Sequence, residues 1–529
     1  MIDLPGLMKH NVKNTMYFHY DRKKFQKTFS EVYEDTLRVL KYLEAKGLEK
    51  EDRIGSCSSN CYELIVLDIA CTLGGFQLVP IHKSQIQKEL MGLIEEFKIK
   101  LFFIEAGLSV QNQEDVVIEL NELEQVVKIK DSPIAYLQTT HMFSPEEDFT
   151  TVFTSGTTGA SKGFIIKFRS LEHFISLCSE KFRIHKDDKV ILFLPLSQFS
   201  SRTFLYAAIC NQIDFVLTNA ERLIEALRIY KPTILQGVPF FYNKLYEAFT
   251  SAIYSHPLKN ISFAAYKYLL RKLLPEKLNK KIQKKLFKQI HDFWGGKMRI
   301  LMTGAAPSRK EVLTFFSIVG CPIYEVYGLV ETGLITMNYP GCVRFGSVGK
   351  ILPYIKYKFD EHNQLLVKSD YFWGKEYINC SKEENKATFG EDGYVLTGDL
   401  GFVDKDGFLY LKGRQKDVIV LLNGNNIHPV SLENSLNGSS LIRQCAVFGN
   451  GKPFLVAVIV RENSSVTKNQ IHDEIRKANS LIKGKGEIKN FMVADEAFNV
   501  ENKMMNENMK INRNNIYQKY KSEIEALFK

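Results

Sequence analysis

Glycines, side-chain hydroxyls and one lysine are packed into the stretch Phe153-Thr-Ser-Gly-Thr-Thr-Gly-Ala-Ser-Lys-Gly163. Gly156 and Gly159 let the backbone turn so that successive N–H groups point inward and make a concave anion site. The hydroxyls of Thr154, Ser155, Thr157 and Thr158 suit donation to phosphate oxygens, and Lys162 adds a mobile positive charge. The stretch differs from the Walker A phosphate loop, because Lys162 follows Ser161 and precedes Gly163 instead of lying between Gly and Ser/Thr. Taken alone, such a run is equally an ordinary surface turn.

Four further motifs follow in fixed order: Tyr327-Gly-Leu-Val-Glu331, Thr397-Gly-Asp399, Gly413-Arg-Gln-Lys-Asp417 with Asn426-Ile-His-Pro429, and Met509-Lys-Ile-Asn-Arg513. With this set the chain resembles the acyl-adenylate-forming (AMP-binding) superfamily of acyl-CoA synthetases, peptide-synthetase adenylation domains and luciferases. The resemblance runs from about Thr28 to the C-terminus. Phe193-Leu-Pro-Leu-Ser197 with Arg202, Gly295-Gly296, and the run from Val418 to Asn426 make it most similar to long-chain fatty acyl-CoA synthetases.

The resemblance implies roles at the matching positions. Thr154, Ser155, Gly156, Thr157, Thr158, Gly159 and Lys162 would cradle the ATP phosphates, and Glu331 would hold Mg²⁺ on them. Tyr327 and Gly328 would face the adenine, with Gly304, Ala305 and Ala306 allowing close backbone approach. Asp399 would accept the ribose hydroxyl protons, and Arg414 would reach the ribose and the α-phosphate. Lys510 would be the catalytic lysine, neutralising charge on the transferring phosphoryl group. Lys416 matches a hinge position, and Gly424 would line a pantetheine tunnel.

The implied reaction has two steps. A carboxylate attacks the α-phosphate of Mg·ATP and expels pyrophosphate; a thiol then takes the acyl group and releases AMP. Substrates and cofactors are thus a carboxylic acid (a fatty acid on this resemblance), ATP, Mg²⁺ and CoA. A carrier-protein phosphopantetheine is the alternative acceptor, and a non-catalytic nucleotide- or acyl-binding protein is a third reading.

Several positions depart from the family pattern. Ser161 stands where proline is usual, Val330 where threonine is common, Gln198 where histidine is usual, and Met509 where glycine is frequent. Lys167-Phe168 replaces a usual Thr-His, and Phe240 a usual arginine. The charged residues the chemistry needs all remain, and one lost neutral hydrogen bond is worth about 0.5–1.5 kcal/mol. An active enzyme is expected.

These residues need a scaffold, and the sequence outlines one. At 529 residues, with 45% hydrophobic and 25% charged, the chain has room for more than one domain with large cores. A helix is expected near residues 29–46. Short apolar runs such as Val190-Ile-Leu-Phe-Leu-Pro195, Thr233-Ile-Leu-Gln-Gly237 and Arg299-Ile-Leu-Met-Thr303 end in turn residues and alternate with helical stretches. That pattern indicates an α/β fold with mostly parallel sheet, whose ligands gather at the carboxyl ends of the strands. After Gly346 the pattern changes to short strands and turns, with a hairpin at Phe402-Val-Asp-Lys-Asp-Gly-Phe-Leu-Tyr410. The expected division is a large N-terminal domain, 1–414, of mostly parallel sheets with flanking helices plus a small β-barrel-like part. A small mobile α+β C-terminal domain, 415–529, follows and carries Lys510.

Charge is uneven. The net charge is +10, yet residues 257–290 alone hold ten Lys/Arg against one Glu. This concentration argues against a nucleic-acid protein with a general basic face. Leucines and isoleucines recur there at helical spacing, so two basic amphipathic helices broken at Pro275 are expected. They are either a solvated face or a peripheral contact for anionic lipid. Residues 64–81 are apolar but carry Asp68 and Gln77, which reads as a buried helix running into a strand. The charged N-terminus lacks an apolar h-region, so no secretory leader is expected, and nine scattered cysteines without a Cys-x-x-Cys pair suit a reducing cytoplasm.

Overall fold

The structure is a computed structural model that describes residues 2–108, 116–129, 140–154, 162–270, 273–482, 484, 486–505 and 511–529. Its largest sheet has nine strands. In spatial order they are Lys350–Ile351, Gly333–Met337, Ile323–Leu329, Ile300–Thr303, Ile234–Gly237, Lys189–Leu192, Asp214–Thr218, Thr15–Tyr20 and Lys23–Thr28. The six from Ile323–Leu329 to Thr15–Tyr20 run parallel, and antiparallel strands close both edges. The apolar runs identified in the sequence are the central strands, since a strand covered on both faces needs no polar alternation.

A second sheet has the order Val117–Glu119, Ile99–Ile104, Arg53–Cys57, Gln77–Pro80, Asp148–Thr154 and Lys162–Lys167. It is parallel except for the last pair. The helices Phe29–Ala45, Tyr62–Gly74, Phe168–Phe182 and Phe199–Cys210 share one hydrophobic core with both sheets. The first starts on a capping box, with Thr28 bonded to the Glu31 N–H and Glu31 bonded back.

Helix Tyr62–Gly74 is buried on every side, so the Asp68 carboxylate at its middle needs a fixed partner. Arg202 supplies it: Nε and a terminal nitrogen donate to the two Asp68 oxygens at 2.7 and 2.6 Å. The other terminal nitrogen donates to Thr150 Oγ1 at 2.8 Å, and the Tyr206 O–H donates to Asp68 Oδ1 at 2.8 Å. Two interior helices are thereby tied to the strand Asp148–Thr154, which runs into the phosphate-loop sequence.

An antiparallel sheet follows, in the order Lys356–Phe359, Gln364–Lys368, Val395–Val403 and Leu409–Arg414. Its last two strands form the expected hairpin. The C-terminal part is α+β. Strands Ile442–Phe448, Leu455–Arg461 and Ile488–Val493 pack helices Pro429–Leu436 and Lys468–Asn479 on one face. Helices Arg513–Lys519 and Lys521–Ala526 cover the other. Alternate residues such as Cys445 and Ala446 serve the two faces, as strand geometry requires.

The basic segment breaks at Pro275 as expected but has more pieces than two helices. Helix Pro257–Ala265 runs into the π-helical turn Tyr266–Leu270, and Glu276–Leu286 is separated from Lys288–Phe293 at Phe287. Phe263, Tyr266, Phe287 and Ile290 turn into a second core around Trp294, and burying them forces the bends. Among the described residues no helix is long and apolar enough to cross a membrane.

Candidate active site

The strands Ile323–Leu329 and Gly333–Met337 form a hairpin at the carboxyl end of the large sheet's parallel part, with a bulge between Tyr327 and Gly328. Glycine is required there, since a Cβ on Gly328 would lie 1.9 Å from the Gly333 carbonyl oxygen. The Leu329 N–H donates to Thr332 Oγ1 at 3.1 Å, closing a turn that presents Val330 and Glu331. Trp373 covers it: a Cβ on Gly333 would meet its indole nitrogen at 2.5 Å.

Two polar sets grow from this hairpin. In the first, the Tyr327 O–H donates to Asp399 Oδ2 at 2.7 Å, and Arg414 Nε lies 3.3 Å from Asp399 Oδ1. Asp399 and Arg414 are cross-strand partners, so sheet register alone brings two distant motifs together. Burial, then the Asp399 charge, push the Tyr327 phenol well above its ordinary range, which keeps it a donor. In the second set, the Tyr377 O–H donates to Glu331 Oε1 at 2.6 Å, and Lys162 Nζ lies 5.2 Å from the centre of the Tyr377 ring. Lys162 Nζ is also 3.6 Å from Glu384.

Gly304-Ala305-Ala306 leaves the neighbouring strand Ile300–Thr303. Ala305 takes a left-handed φ of 69°, a conformation that costs a non-glycine residue about 1–3 kcal/mol. At the ends of adjacent strands, Thr303 Oγ1 and Gln236 Oε1 are buried and have no hydrogen-bond partner among the described residues. A bound molecule would complete them. Glu325, one strand position before Val326, is buried too; burial pushes its carboxyl up to about 7, against the Ser308 N–H that donates to it.

The structure thus gathers Tyr327, Gly328, Asp399 and Arg414 in one set and joins Glu331 to Lys162 in the other. Thr154 and Lys162 are cross-strand partners that bracket the phosphate-loop sequence. Ser155, Gly156, Thr157, Thr158, Gly159 and Lys510 lie outside the described residues. Lys416 stands in the 3₁₀ turn Gln415–Asp417, two residues past Arg414. Gly424, at φ 78°, closes a tight turn with its N–H on the Leu421 carbonyl at 2.9 Å. Sequence reasoning missed Tyr377, Trp373 and Glu384. The cluster of aromatics in Tyr371-Phe-Trp-Gly-Lys-Glu-Tyr377 was the available signal.

Among the described residues no group of three His, Cys, Asp or Glu side chains could cage a metal. Glu331 is a single carboxylate with one oxygen bonded to Tyr377. That donor set fits Mg²⁺, which binds through one or two carboxylates, substrate phosphates and water.

The parallel sheets carry a polar site at their strand ends, and an α+β part follows in the chain. The chain belongs to the AMP-binding enzyme family, which matches residues 9–369, and the AMP-binding enzyme C-terminal domain matches 416–529. The family is one of enzymes, and relatives of this chain are named as acyl-CoA ligases. Among its relatives, long-chain-fatty-acid–CoA ligase FadD15 of Mycobacterium bovis is 25% identical over 91% of this chain and 89% of its own. Long chain acyl-CoA synthetase 1 of Arabidopsis thaliana is 24% identical over 95% and 87%. The fold is shared with o-succinylbenzoate CoA synthetase (MenE) of Bacillus subtilis bound to its acyl-adenylate intermediate, with TM-score 0.76, 20% identity and 97% of each chain covered. ATP-bound MatB of Rhodopseudomonas palustris superposes with TM-score 0.75 at 19% identity, covering 98% of this chain and 99% of its own.

Proposed function

We propose that this enzyme activates a long- or medium-chain fatty acid as acyl-AMP and transfers the acyl group to CoA. The observation that carries the reading is that Tyr327 and Glu331 of one hairpin anchor two polar sets, Tyr327–Asp399–Arg414 and Glu331–Tyr377–Lys162. The first set has the chemistry for a ribose and α-phosphate, the second for a metal-bound polyphosphate. Relatives named for long-chain fatty acids over most of their length support the acid class.

In this reading Asp399 accepts the ribose hydroxyls, and Arg414 reaches the α-phosphate. Lys162 and the loop Thr154, Ser155, Gly156, Thr157, Thr158 and Gly159 hold the outer phosphates. Tyr327 and Gly304, Ala305 and Ala306 border the adenine. Mg²⁺ on Glu331 would neutralise the departing pyrophosphate. Lys510 stabilises charge on the transferring phosphoryl group. Residues 1–414 form the acid- and nucleotide-binding domain, and 415–529 form a lid that turns at Lys416 and brings Gly424 to a pantetheine tunnel. The site is assigned to the cytoplasm, where ATP and CoA are at hand.

Pyrophosphate release across a panel of carboxylic acids, with CoA or a holo carrier protein as acceptor, tests the reading. Release with fatty acids and CoA-thioester product is expected. Thioester on the carrier protein alone would move the acceptor to phosphopantetheine, and no release with any acid would overturn catalysis.

Val330 stands beside Glu331, 39% exposed, where a threonine would offer phosphate a hydroxyl. Val330→Thr is expected to raise the adenylation rate by up to about tenfold, the worth of one hydrogen bond. An unchanged pyrophosphate-release rate would show a pocket adapted to the apolar side chain.

Peripheral contact with anionic lipid through residues 257–290 belongs to the same reading, because a bilayer concentrates fatty acid. Leu258, Ile261, Tyr268 and Leu273 are each at least 65% exposed amid the lysines. Each cation near the surface contributes about 1 kcal/mol to anionic-lipid binding. Changing Lys280, Lys281, Lys284 and Lys285 to Gln is expected to weaken salt-sensitive co-sedimentation with anionic vesicles and to spare activity on soluble short-chain acids. No anionic preference at low salt would leave the segment a solvated face.

A further inference from the structure

We infer that Tyr377 is a positioning residue for the phosphate end of the site, coupling the Glu331 carboxylate to the Lys162 ammonium; the inference rests on the function proposed above. The two contacts use different parts of one side chain. The hydroxyl edge donates to Glu331 Oε1 at 2.6 Å, while the ring lies 5.2 Å from Lys162 Nζ. A donor on one carboxylate oxygen orients the other, and an aromatic ring attracts an ammonium by its negative face.

Tyr377 is itself held firmly. Its N–H donates to Asn385 Oδ1 at 2.6 Å, and its carbonyl accepts from Asn385 Nδ2 at 3.0 Å. The flanking backbone is strapped to both partners' elements. The Gly374 N–H donates to the Glu331 carbonyl at 2.9 Å, and the Ile378 N–H donates to the Gly163 carbonyl at 2.8 Å. The Gly163 N–H returns a bond to Asn379 Oδ1 at 2.9 Å. Residues 374–379 therefore bridge the Glu331 turn and the strand that begins at Lys162.

A purely structural aromatic makes a different prediction. Tyr377 also packs on Phe389, with ring centroids 5.2 Å apart, and a residue that only fills space would weaken everything together. The test reads ATP binding by calorimetry across a Mg²⁺ series, without any acid present. Tyr377→Phe keeps the ring and removes the hydroxyl. It is expected to raise the Mg²⁺ concentration for half-maximal ATP binding about tenfold, with affinity at saturating Mg²⁺ changed less than about twofold. Tyr377→Leu is expected to weaken binding at every Mg²⁺ concentration, because Lys162 loses its platform as well.

An unchanged Mg²⁺ series in Tyr377→Phe overturns the inference, as does an equal loss in both variants at all concentrations. Phenylalanine differs only by the hydroxyl, so it decides the matter even where the leucine variant fails to fold. Failure of the fatty-acid reading is separable: wild-type enzyme would then bind Mg·ATP with the same variant pattern yet activate no acid.

Discussion

Replacing Lys510 with alanine is expected to lower acid-dependent pyrophosphate release by at least about 10²–10³-fold, the usual loss when one preorganised transition-state charge is removed. Thioester formation from supplied acyl-adenylate should survive, because that step breaks the bond at the acyl carbon and transfers no phosphoryl group. Lys416→Pro should do the reverse. A proline fixes φ, so a hinge that must change its backbone angles would stall before the thioester step while adenylation continues. The two half-reactions are separable with synthetic acyl-adenylate and CoA. Equal loss of both in Lys510→Ala, or normal thioester output from Lys416→Pro, would reassign those residues.

The second large effect concerns stability. Arg202 is 1% exposed and donates to both oxygens of Asp68, which is itself buried. Arg202→Met strands that carboxylate in the core and is expected to reduce unfolding free energy by about 3–5 kcal/mol. The double variant Asp68→Leu, Arg202→Met removes both charges and should recover most of the loss, since well-packed apolar pairs often replace buried ion pairs without penalty. Denaturant unfolding of the three proteins checks this. A single-variant loss below about 1 kcal/mol would mean that water reaches the pair.

The central strands were legible because their apolar runs end in turn residues, and the hairpin at Phe402–Tyr410 because its turn sequence is local. Division into a nine-stranded and a six-stranded sheet was not legible. Parallel pairing joins segments far apart, such as Thr15–Tyr20 beside Asp214–Thr218, and no short-range pattern encodes it. The site divides the same way. Tyr327, Asp399 and Arg414 could be named from motifs, and the structure adds that strand register makes two of them neighbours. Tyr377 sits in no motif, and its approach to Glu331 depends on backbone bonds from residues 374–379 that only the folded chain reveals. The kink at Phe287 escaped notice because the helical spacing of leucines and lysines continues across it, while burial of Phe287 and Ile290 decides the bend.

The chain has only two tryptophans, and the fold places them for very different spectroscopic duties. Trp294 is fully enclosed in the second core, a fixed lamp whose emission follows global unfolding. Trp373 lies against the turn that presents Glu331, with Phe199 at 4.7 Å edge-on. Its emission therefore carries news of that turn, so nucleotide and metal occupancy can be watched in the native protein without attaching a dye.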